Sequence, residues 1–451
     1  MLIHQGDTNT LSGQSTFREQ RSEQTQHWLA EDRKYFLHQA LSTPVMNVLS
    51  RTEGAYIYDL DDRKYLDLHG NGVHNIGFNH PEVVAAVKQQ LDDQLAFTPR
   101  RYTNKPAVQL AKKLVEISPA GLDRVLFCPG GSEAIEMAII LAKQVTGKWK
   151  TISFWDCYHG TTYQAATVGG DPHFTLGQGP MVPGAFHVEF PNYYRNPWGL
   201  HHDEDREQID ELYLRQIEMI LKHHPDLAAI VGTPIASAPH VPSAYFWERV
   251  ADLCRSHDAF LIFDEIVCGL GRTGKLFAHE HYLTPDVVVL GKSLGGGVVP
   301  FAGILTQDRH NVVQHRSIGH FTHEKSPLSA AAALAVINVL ERDRIAERVA
   351  ELGQYFRDSL RELQERYPVI GHIDGWGFLI GVELVKDPET KERATEIAQR
   401  VLSYCLERGL SFKLYEGNVI TMRPALIIGK EEIDFIVRTI GEAIAVSLKE
   451  G

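Results

Sequence analysis

The chain has 451 residues and a formal net charge of −12, with 43% hydrophobic and 23% charged residues. These proportions are typical of a globular protein, and the length exceeds what one hydrophobic core supports, so two domains are expected. The acidic balance argues against nucleic acid or an anionic membrane as a partner, because both attract basic surfaces.

The start of the chain and its cysteines predict a cytoplasmic protein. Residues 1–26 are polar and mixed in charge, without the apolar stretch of a signal peptide. The longest apolar runs have the length of strands, so no membrane-spanning helix is expected. The five cysteines are scattered without CxxC spacing, which favours reduced thiols. The 22 histidines are dispersed, and no metal site is predicted.

Short apolar runs alternate with helical patterns through the middle of the chain. Strands are predicted over residues 124–129, 151–155, 228–232, 260–264 and 287–291, and a helix over 132–145 that ends at Gly147. Strands separated by helices predict an α/β fold with a mostly parallel, doubly wound sheet that binds ligands at its C-terminal edge. Residues 177–205, rich in Pro, Asn, His and aromatics, predict a long loop near the site.

The pattern changes at about residue 327. Amphipathic helices are predicted over residues 328–340 and 345–367, followed by a strand-like piece over 377–385. This predicts a small α+β domain built from residues 327–451 together with residues 1–68. The large domain is predicted over residues 69–326.

Two strand ends carry residues that need a chemical explanation. Lys292 follows an apolar run and precedes three glycines. Burying an ammonium favours the neutral amine, which can form a Schiff base with an aldehyde cofactor. Asp264 ends another apolar strand, where a carboxylate can pair with a pyridine nitrogen. Together the two residues predict a pyridoxal phosphate site.

Three further features fit such a site, each with a simpler alternative. Residues 130–132 (GGS) open a helix, so backbone N–H groups and the Ser132 hydroxyl predict a phosphate cradle; an ordinary serine cap is the alternative. Tyr158 can lie on a cofactor ring or pack on the core. Ile266, two residues after Asp264 on a β-pleat, points to the same side as the carboxylate and can cover the other ring face or belong to the core.

The order of these motifs resembles the class III (ω-amino acid type) aminotransferase family of fold-type I pyridoxal phosphate enzymes. The resemblance runs from about residue 54 to residue 440. The matching stretches are GSEA at 131–134, YHG at 158–160, DEI at 264–266, GLGRTG at 269–274, and GK at 291–292 with GGG at 295–297. It implies a large domain with a mostly parallel doubly wound sheet, a small α+β domain, and pyridoxal 5′-phosphate as cofactor.

The resemblance also implies roles for the residues around the cofactor ring. Lys292 is expected to bind the cofactor aldehyde and later to shuttle a proton. Asp264 is expected to pair with the protonated pyridine nitrogen, with Tyr158 on one ring face and Ile266 on the other. His159 is expected in the same cofactor-binding set.

The cofactor phosphate is expected to have ligands from two subunits. Gly131 and Ser132 match the phosphate-binding residues of the family. Thr322, five residues before Pro327, matches a threonine that reaches the phosphate of the neighbouring subunit. The resemblance therefore implies a homodimer with shared active sites.

Residues 233–240 (TPIASAPH) depart from the family pattern because they contain no acid. In many family aminotransferases a glutamate near this position pairs with an arginine near the C-terminus, which Arg423 matches here. Without that glutamate, Arg423 would favour an anionic substrate throughout the reaction. The alternative is that an acid from a distant loop pairs with Arg423.

A second departure is residues 321–327 (FTHEKSP), where the family commonly has Gly-Asn before the proline. Arg100 and Arg101 fall where family members present residues to the substrate. Since arginine forks suit phosphonate oxygens, Arg100, Arg101 and Arg423 are the predicted substrate-binding residues. Solvated surface arginines are the alternative.

These departures resemble a narrower group of the family, ammonia-lyases acting on 1-hydroxy-2-aminoethylphosphonate. The resemblance implies a carbon–nitrogen lyase that takes a small anionic amine and gives phosphonoacetaldehyde and ammonia by elimination through an external aldimine. The main alternative is a class III ω-aminotransferase with an amine or aminophosphonate donor and a keto acid acceptor. A non-catalytic pyridoxal phosphate sensor and a dehydrogenase fit the motifs less well.

Overall fold

The computed structural model describes residues 21–37, 47–236 and 238–449. The strands, in chain order, are β1 (Leu49–Glu53), β2 (Tyr56–Asp59), β3 (Lys64–Asp67), β4 (Arg124–Cys128), β5 (Lys150–Phe154), β6 (Ala185–Val188), β7 (Leu227–Gly232), β8 (Phe260–Asp264), β9 (Val287–Leu290), β10 (Ala302–Thr306), β11 (Ile370–Trp376), β12 (Leu379–Leu384), β13 (Leu410–Ser411), β14 (Lys413–Tyr415) and β15 (Val419–Met422).

The helices follow the strands through the whole chain. They are α1 (Glu23–Tyr35), α2 (Pro81–Asp92), α3 (Lys105–Ile117), α4 (Gly131–Thr146), α5 (Tyr163–Val168), α6 (Arg206–His223), α7 (Ala244–Ser256), α8 (Pro327–Arg342), α9 (Ile345–Arg366), α10 (Thr395–Glu407) and α11 (Lys430–Ser447). No helix among the described residues is long and apolar enough to cross a membrane.

The chain divides into two compact units. The large unit is Pro81–Ala350, and the small unit combines Met1–His80 with Glu351–Gly451. The large unit holds a seven-stranded sheet in the order β4-β10-β9-β8-β7-β5-β6. β10 is antiparallel to both of its neighbours, and the other adjacent pairs are parallel. The predicted α/β fold with a mostly parallel sheet is confirmed.

Alternate residues of the central strands pack on opposite faces of this sheet. In β8, Phe260 and Ile262 join the hydrophobic cluster that contains the buried side of α4. Leu261 and Phe263 join a second cluster, which contains residues of α6 and α7. Helices therefore cover both faces, as the continuous apolar run of a parallel strand requires.

The small unit contains two four-stranded sheets, β1-β2-β3-β13 and β11-β12-β15-β14. The second sheet is antiparallel throughout, whereas β13 pairs with β3 in parallel. This unit has the α+β composition that the sequence predicts for the small domain.

The unit boundaries lie further along the chain than the predicted ones at residues 68 and 326. At the first boundary, Phe78 forms a bridge with Gly54, which keeps the chain with the small unit beyond residue 68. At the second, α8 packs against α2 and α3, so it belongs to the large unit. Residues 1–20 and 38–46 of the predicted N-terminal part lie outside the described residues.

Candidate active site

The N-terminus of α4 lies at the C-terminal end of β4. Gly130 is its N-cap and makes no side-chain capping bond, so the alternative of Ser132 as the cap is wrong. Instead, Ser132 Oγ accepts the N–H of Thr161 at 3.2 Å. Backbone N–H groups of a first helical turn without a side-chain cap are suited to an anion such as phosphate.

The loop after β5 lies directly on this helix end. Gly160 has a φ of +131°, and a Cβ there would lie 2.5 Å from Ser132 Oγ and 2.9 Å from Ser132 Cα. Only glycine permits this approach, because any side chain would push the loop away from α4. The contact brings the loop that carries Tyr158 and His159 to the start of α4.

Asp264, the last residue of β8, is buried and holds two hydrogen bonds through its carboxylate. His159 Nδ1 donates to Oδ2 at 2.8 Å, and the N–H of Ile266 donates to Oδ1 at 3.0 Å. His159 is itself buried, and its Nε2 has no hydrogen-bond partner among the described residues. Donors on both oxygens favour the ionised carboxylate, which is the form that pairs with a protonated pyridine nitrogen.

Ile266 lies in a turn rather than on the β-pleat that the sequence predicts. The chain leaves the strand after Asp264, since the Asp264 carboxylate accepts the N–H of Ile266. The Ile266 side chain lies 2.7 Å from the position of a Cβ on Gly131 and 3.3 Å from that of a Cβ on Gly291. Ile266 is partly buried at the edge of the α4 cluster and meets both the phosphate cradle and the residue before Lys292.

Lys292 follows β9 with a left-handed backbone, φ +43°, and begins a short 3₁₀-helix (Lys292–Gly295). This conformation costs a residue with a side chain about 1–2 kcal/mol, and such strain clusters at functional sites. Gly296, just after the 3₁₀-helix, leaves no room for a side chain, because its Cβ would lie 2.9 Å from Val336 and 3.0 Å from Val83. Packing around this turn therefore holds the Lys292 backbone in place.

The Tyr158 ring packs on Phe174, with 4.6 Å between the ring centroids and 55° between the planes. Burial raises the pKa of Tyr158 above its usual value, so its hydroxyl stays protonated. The side chain is 46% exposed, so one part of the ring is supported and another is open. This arrangement leaves surface for a second aromatic ring.

These residues fit pyridoxal phosphate. The structure brings together an anion-binding helix start at Gly131 and Ser132, the carboxylate of Asp264, and Ile266, whose side chain reaches the residue before Lys292. Tyr158 and His159 join them through the Gly160 contact. The cofactor needs these elements: a phosphate site, an acid for the ring nitrogen, apolar cover and an amine.

Glu265 is a buried residue of this region to which the sequence assigned no role. Its carboxylate accepts the N–H of Ala278 at 2.6 Å, the N–H of His279 at 2.8 Å and Nδ1 of His279 at 2.6 Å. It therefore fastens the 269–274 turn region to the strand that carries Asp264. A second acid directly after an apolar strand was the available signal, because buried charges need such partners.

Arg100, Arg101 and Thr322 lie on the surface of the large unit, and all three are exposed. The structure does not decide between substrate binding and the alternative of solvated arginines. Arg423 lies in the small unit, directly after β15, where its N–H donates to Leu68 O at 2.7 Å.

The two segments of the large unit that depart from the family pattern contact each other. Phe97 meets His323 edge-on, with 5.1 Å between the ring centroids. Asn104 Nδ2 donates to the carbonyl of Lys325 at 2.9 Å. The arginine pair and the segment around Thr322 therefore belong to one surface.

In the acid-free segment after β7, Thr233 Oγ1 donates to the carbonyl of Ile235 at 2.8 Å. The Thr233 hydroxyl is thus used within the segment itself. Ser237 lies outside the described residues.

The chain matches the family model Aminotransferase class-III over residues 38–444. It is 40% identical to the (R)-1-hydroxy-2-aminoethylphosphonate ammonia-lyase of Vibrio splendidus, an alignment that covers 99% of this chain and 96% of the relative. It is 30% identical to the isoleucine 2-epimerase of Lentilactobacillus buchneri, with 92% and 93% covered. Its structure is similar to that of the ω-transaminase from Pseudomonas jessenii in complex with PMP, with a TM-score of 0.86, 27% identity, and 93% and 98% of the two chains covered.

Proposed function

The chain belongs to the class-III aminotransferase family, and we propose that it is an ammonia-lyase that converts 1-hydroxy-2-aminoethylphosphonate into phosphonoacetaldehyde and ammonia. Pyridoxal phosphate is its cofactor, as in the rest of the family. The observation that carries the proposal is the similarity to the Vibrio splendidus lyase along almost the whole chain.

The proposed cofactor contacts follow the geometry of the site. Gly131 and Ser132 would hold the phosphate at the start of α4. Asp264 would pair with the ring nitrogen, while His159 keeps the carboxylate oriented through its 2.8 Å hydrogen bond. When bound, the cofactor supplies an aldehyde that takes the substrate amine and a ring that accepts an electron pair.

Lys292 is the proposed base. Its amine would take a proton from the carbon that bears the substrate amine, and the hydroxyl on the neighbouring carbon would leave as water. The released enamine gains a proton on the carbon that bears the phosphonate, and one water molecule hydrolyses it to aldehyde and ammonia. One water is lost and one is consumed, so no keto acid takes part.

The proposed anion site uses arginine side chains. Arg423, Arg100 and Arg101 are the candidates, because a guanidinium fork matches two phosphonate oxygens. The acid-free segment 233–240 supports this proposal, since it offers no carboxylate that could neutralise an arginine when the substrate is absent.

Two further parts of the proposal concern the assembly and the compartment. We propose a homodimer in which Thr322 reaches the cofactor phosphate of the other subunit, since Thr322 is exposed on the single chain. The proposed compartment is the cytoplasm, because the five cysteines are free.

An ω-aminotransferase remains the second candidate, and the similarity to the solved Pseudomonas jessenii transaminase favours it. It would use the same cofactor residues and would differ in the substrate pocket. Its turnover would require a keto acid acceptor.

The test is ammonia release from each enantiomer of 1-hydroxy-2-aminoethylphosphonate by the holoenzyme without keto acid. We expect ammonia and phosphonoacetaldehyde in equal amounts from one enantiomer, and none from a Lys292→Ala variant. Turnover that begins only when pyruvate or 2-oxoglutarate is added, with the amino group transferred to it, would overturn the lyase proposal in favour of the aminotransferase.

A further inference from the structure

Glu136 lies on α4 one turn after Ser132, and its carboxylate binds the segment that follows the Tyr158 loop. Oε1 accepts Thr162 Oγ1 at 2.7 Å and the N–H of Ala165 at 3.1 Å. Oε2 accepts Gln164 Nε2 at 2.9 Å. One half-buried carboxylate thus serves three donors from a single stretch of chain.

These bonds replace a missing helix cap. Thr162 is the N-cap of α5, yet its side chain makes no capping bond. Ala165 is the third residue of α5, and its N–H is a usual target of an N-cap side chain. Glu136 supplies that acceptor from α4, so the start of α5 depends on a residue of another helix.

The same face of α4 holds α5 at a second point. Lys143, two turns after Glu136, donates from Nζ to Gln164 Oε1 at 2.7 Å. Burial lowers the pKa of Lys143, and the nearby Glu136 carboxylate opposes this shift. Gln164 is therefore held between a carboxylate and an ammonium, which fixes both ends of its amide group.

We propose that Glu136 is a positioning residue that holds the loop carrying Tyr158 and His159 against the start of α4, and so sets the orientation of the cofactor. Ser132 binds Thr161 and Glu136 binds Thr162, so two consecutive residues of the loop are fastened to consecutive turns of α4. This inference rests on the proposed placement of the cofactor at Tyr158 and Asp264.

The chemistry of the carboxylate makes the role specific to glutamate. A glutamine at residue 136 keeps one acceptor oxygen but presents an N–H₂ group to one of the donors. It therefore loses part of the clamp and leaves a donor without an acceptor, which costs more than the missing bond alone.

The test is a double-mutant cycle on cofactor binding, with Glu136→Gln, Thr162→Val and the double variant, measured by titrating the apoprotein with pyridoxal phosphate. We expect each single variant to bind the cofactor about tenfold more weakly, as loss of a hydrogen bond to a charged group predicts. We expect the double variant to be little worse than either, because both changes remove the same contact. Thr162→Ser keeps the hydroxyl and should bind like the parent protein.

The visible circular dichroism of the bound cofactor reports its orientation and is the readout that a purely structural role would not move. We expect its amplitude to fall in Glu136→Gln and Thr162→Val and to be unchanged in Glu116→Gln, a control that removes an exposed carboxylate of α3. Parent-like affinity and dichroism in Glu136→Gln would overturn the proposal, even if its apoprotein melted at a lower temperature.

No substrate is present in these measurements, so a failed lyase assignment leaves them unaffected. A Tyr158→Ala variant tests the placement on which the inference rests. If Tyr158→Ala leaves the dichroism unchanged while Glu136→Gln alters it, the placement of the cofactor on Tyr158 is wrong, and with it the proposed route from Glu136 to the cofactor.

Discussion

The two ring nitrogens of His159 have different surroundings. Nδ1 donates to Asp264 at 2.8 Å, while the buried Nε2 has no partner among the described residues. The hydrogen bond orients the carboxylate and favours its ionised form. His159 therefore acts on the cofactor through Asp264, although its imidazole does not need to touch the cofactor itself.

We predict that His159→Leu lowers kcat about 10- to 100-fold, because a hydrogen bond to a charged group contributes roughly 1.5–3 kcal/mol. His159→Asn, whose amide can donate to Asp264, should recover part of the loss. Steady-state kinetics with the cofactor content of each variant would measure this. His223→Leu, at the exposed end of α6, is the control; a His159→Leu enzyme as active as this control would contradict the assigned role.

Asp67 introduces a pH dependence into the stability of the small unit. Burial raises the pKa of Asp67 to about 6, although the N–H groups of His69 and Gly70 act in the opposite direction. The folded chain therefore holds a proton at pH values where the unfolded chain has lost it. Stability falls as pH rises from the unfolded value of 3.8 to about 6 and stays at the lower level above that.

We predict that Asp67→Asn stabilises the apoprotein at about pH 7 by up to about 3 kcal/mol and has little effect near pH 4. The amide keeps an acceptor oxygen for the N–H of His69, which the Asp67 carboxylate now binds at 3.1 Å. Urea unfolding at the two pH values measures the difference. Asp62→Asn, an exposed carboxylate paired with Arg51, is the control and should show no such trend.

The contact between the β5–α5 loop and α4 depends on the absence of a side chain at Gly160. We predict that Gly160→Ala abolishes tight cofactor binding, because its Cβ would overlap Ser132 backbone and side-chain atoms. Gly147→Ala, at the other end of α4, is the matched control: its φ is +70° but its Cβ would meet no atom within 4 Å. That change should cost only about 1 kcal/mol of stability. Equal cofactor affinity in the two variants, measured by titration, would disprove the steric argument.

The central strands of the large sheet could be predicted because each is a continuous apolar run. β8 has the bounds that the sequence predicts, and β4, β5, β7 and β9 differ at their ends by one residue. β10 was missed because it returns antiparallel directly after the β9 turn, without the helix that marks a parallel strand. β6 was missed because it has four residues inside a polar region and pairs with β5 alone in the sheet.

The site could be predicted where a residue departs from its local pattern. Lys292 and Asp264 stand out as charges at the ends of apolar strands. Glu136 could not be recognised, because a glutamate on a helix is ordinary until the structure brings Thr162 and Ala165 to it. Hydrogen bonds between distant elements depend on tertiary packing, which the sequence pattern does not specify.

On the scale of the whole molecule, the surface formed by residues 97–104 and 321–326 is unusual for what it exposes. Arg100, Arg101 and Thr322 all face solvent in the single chain, although the family pattern gives each a role at an active site. A closed dimer with two-fold symmetry explains the exposure, because each subunit can then complete the site of the other. The proposed homodimer therefore makes a prediction about which subunit supplies which residue.

We predict that two inactive variants recover activity when mixed. A Lys292→Ala subunit keeps its Arg100, Arg101 and Thr322, while a subunit with Arg100→Gln, Arg101→Gln and Thr322→Val keeps its Lys292. If the second group acts across the interface, a mixed dimer has one complete site and one that lacks both sets. Co-refolded subunits should then reach about a quarter of the parent activity, since half of the dimers are mixed and each holds one working site. Activity no higher than that of the separate variants would show that these residues serve their own subunit.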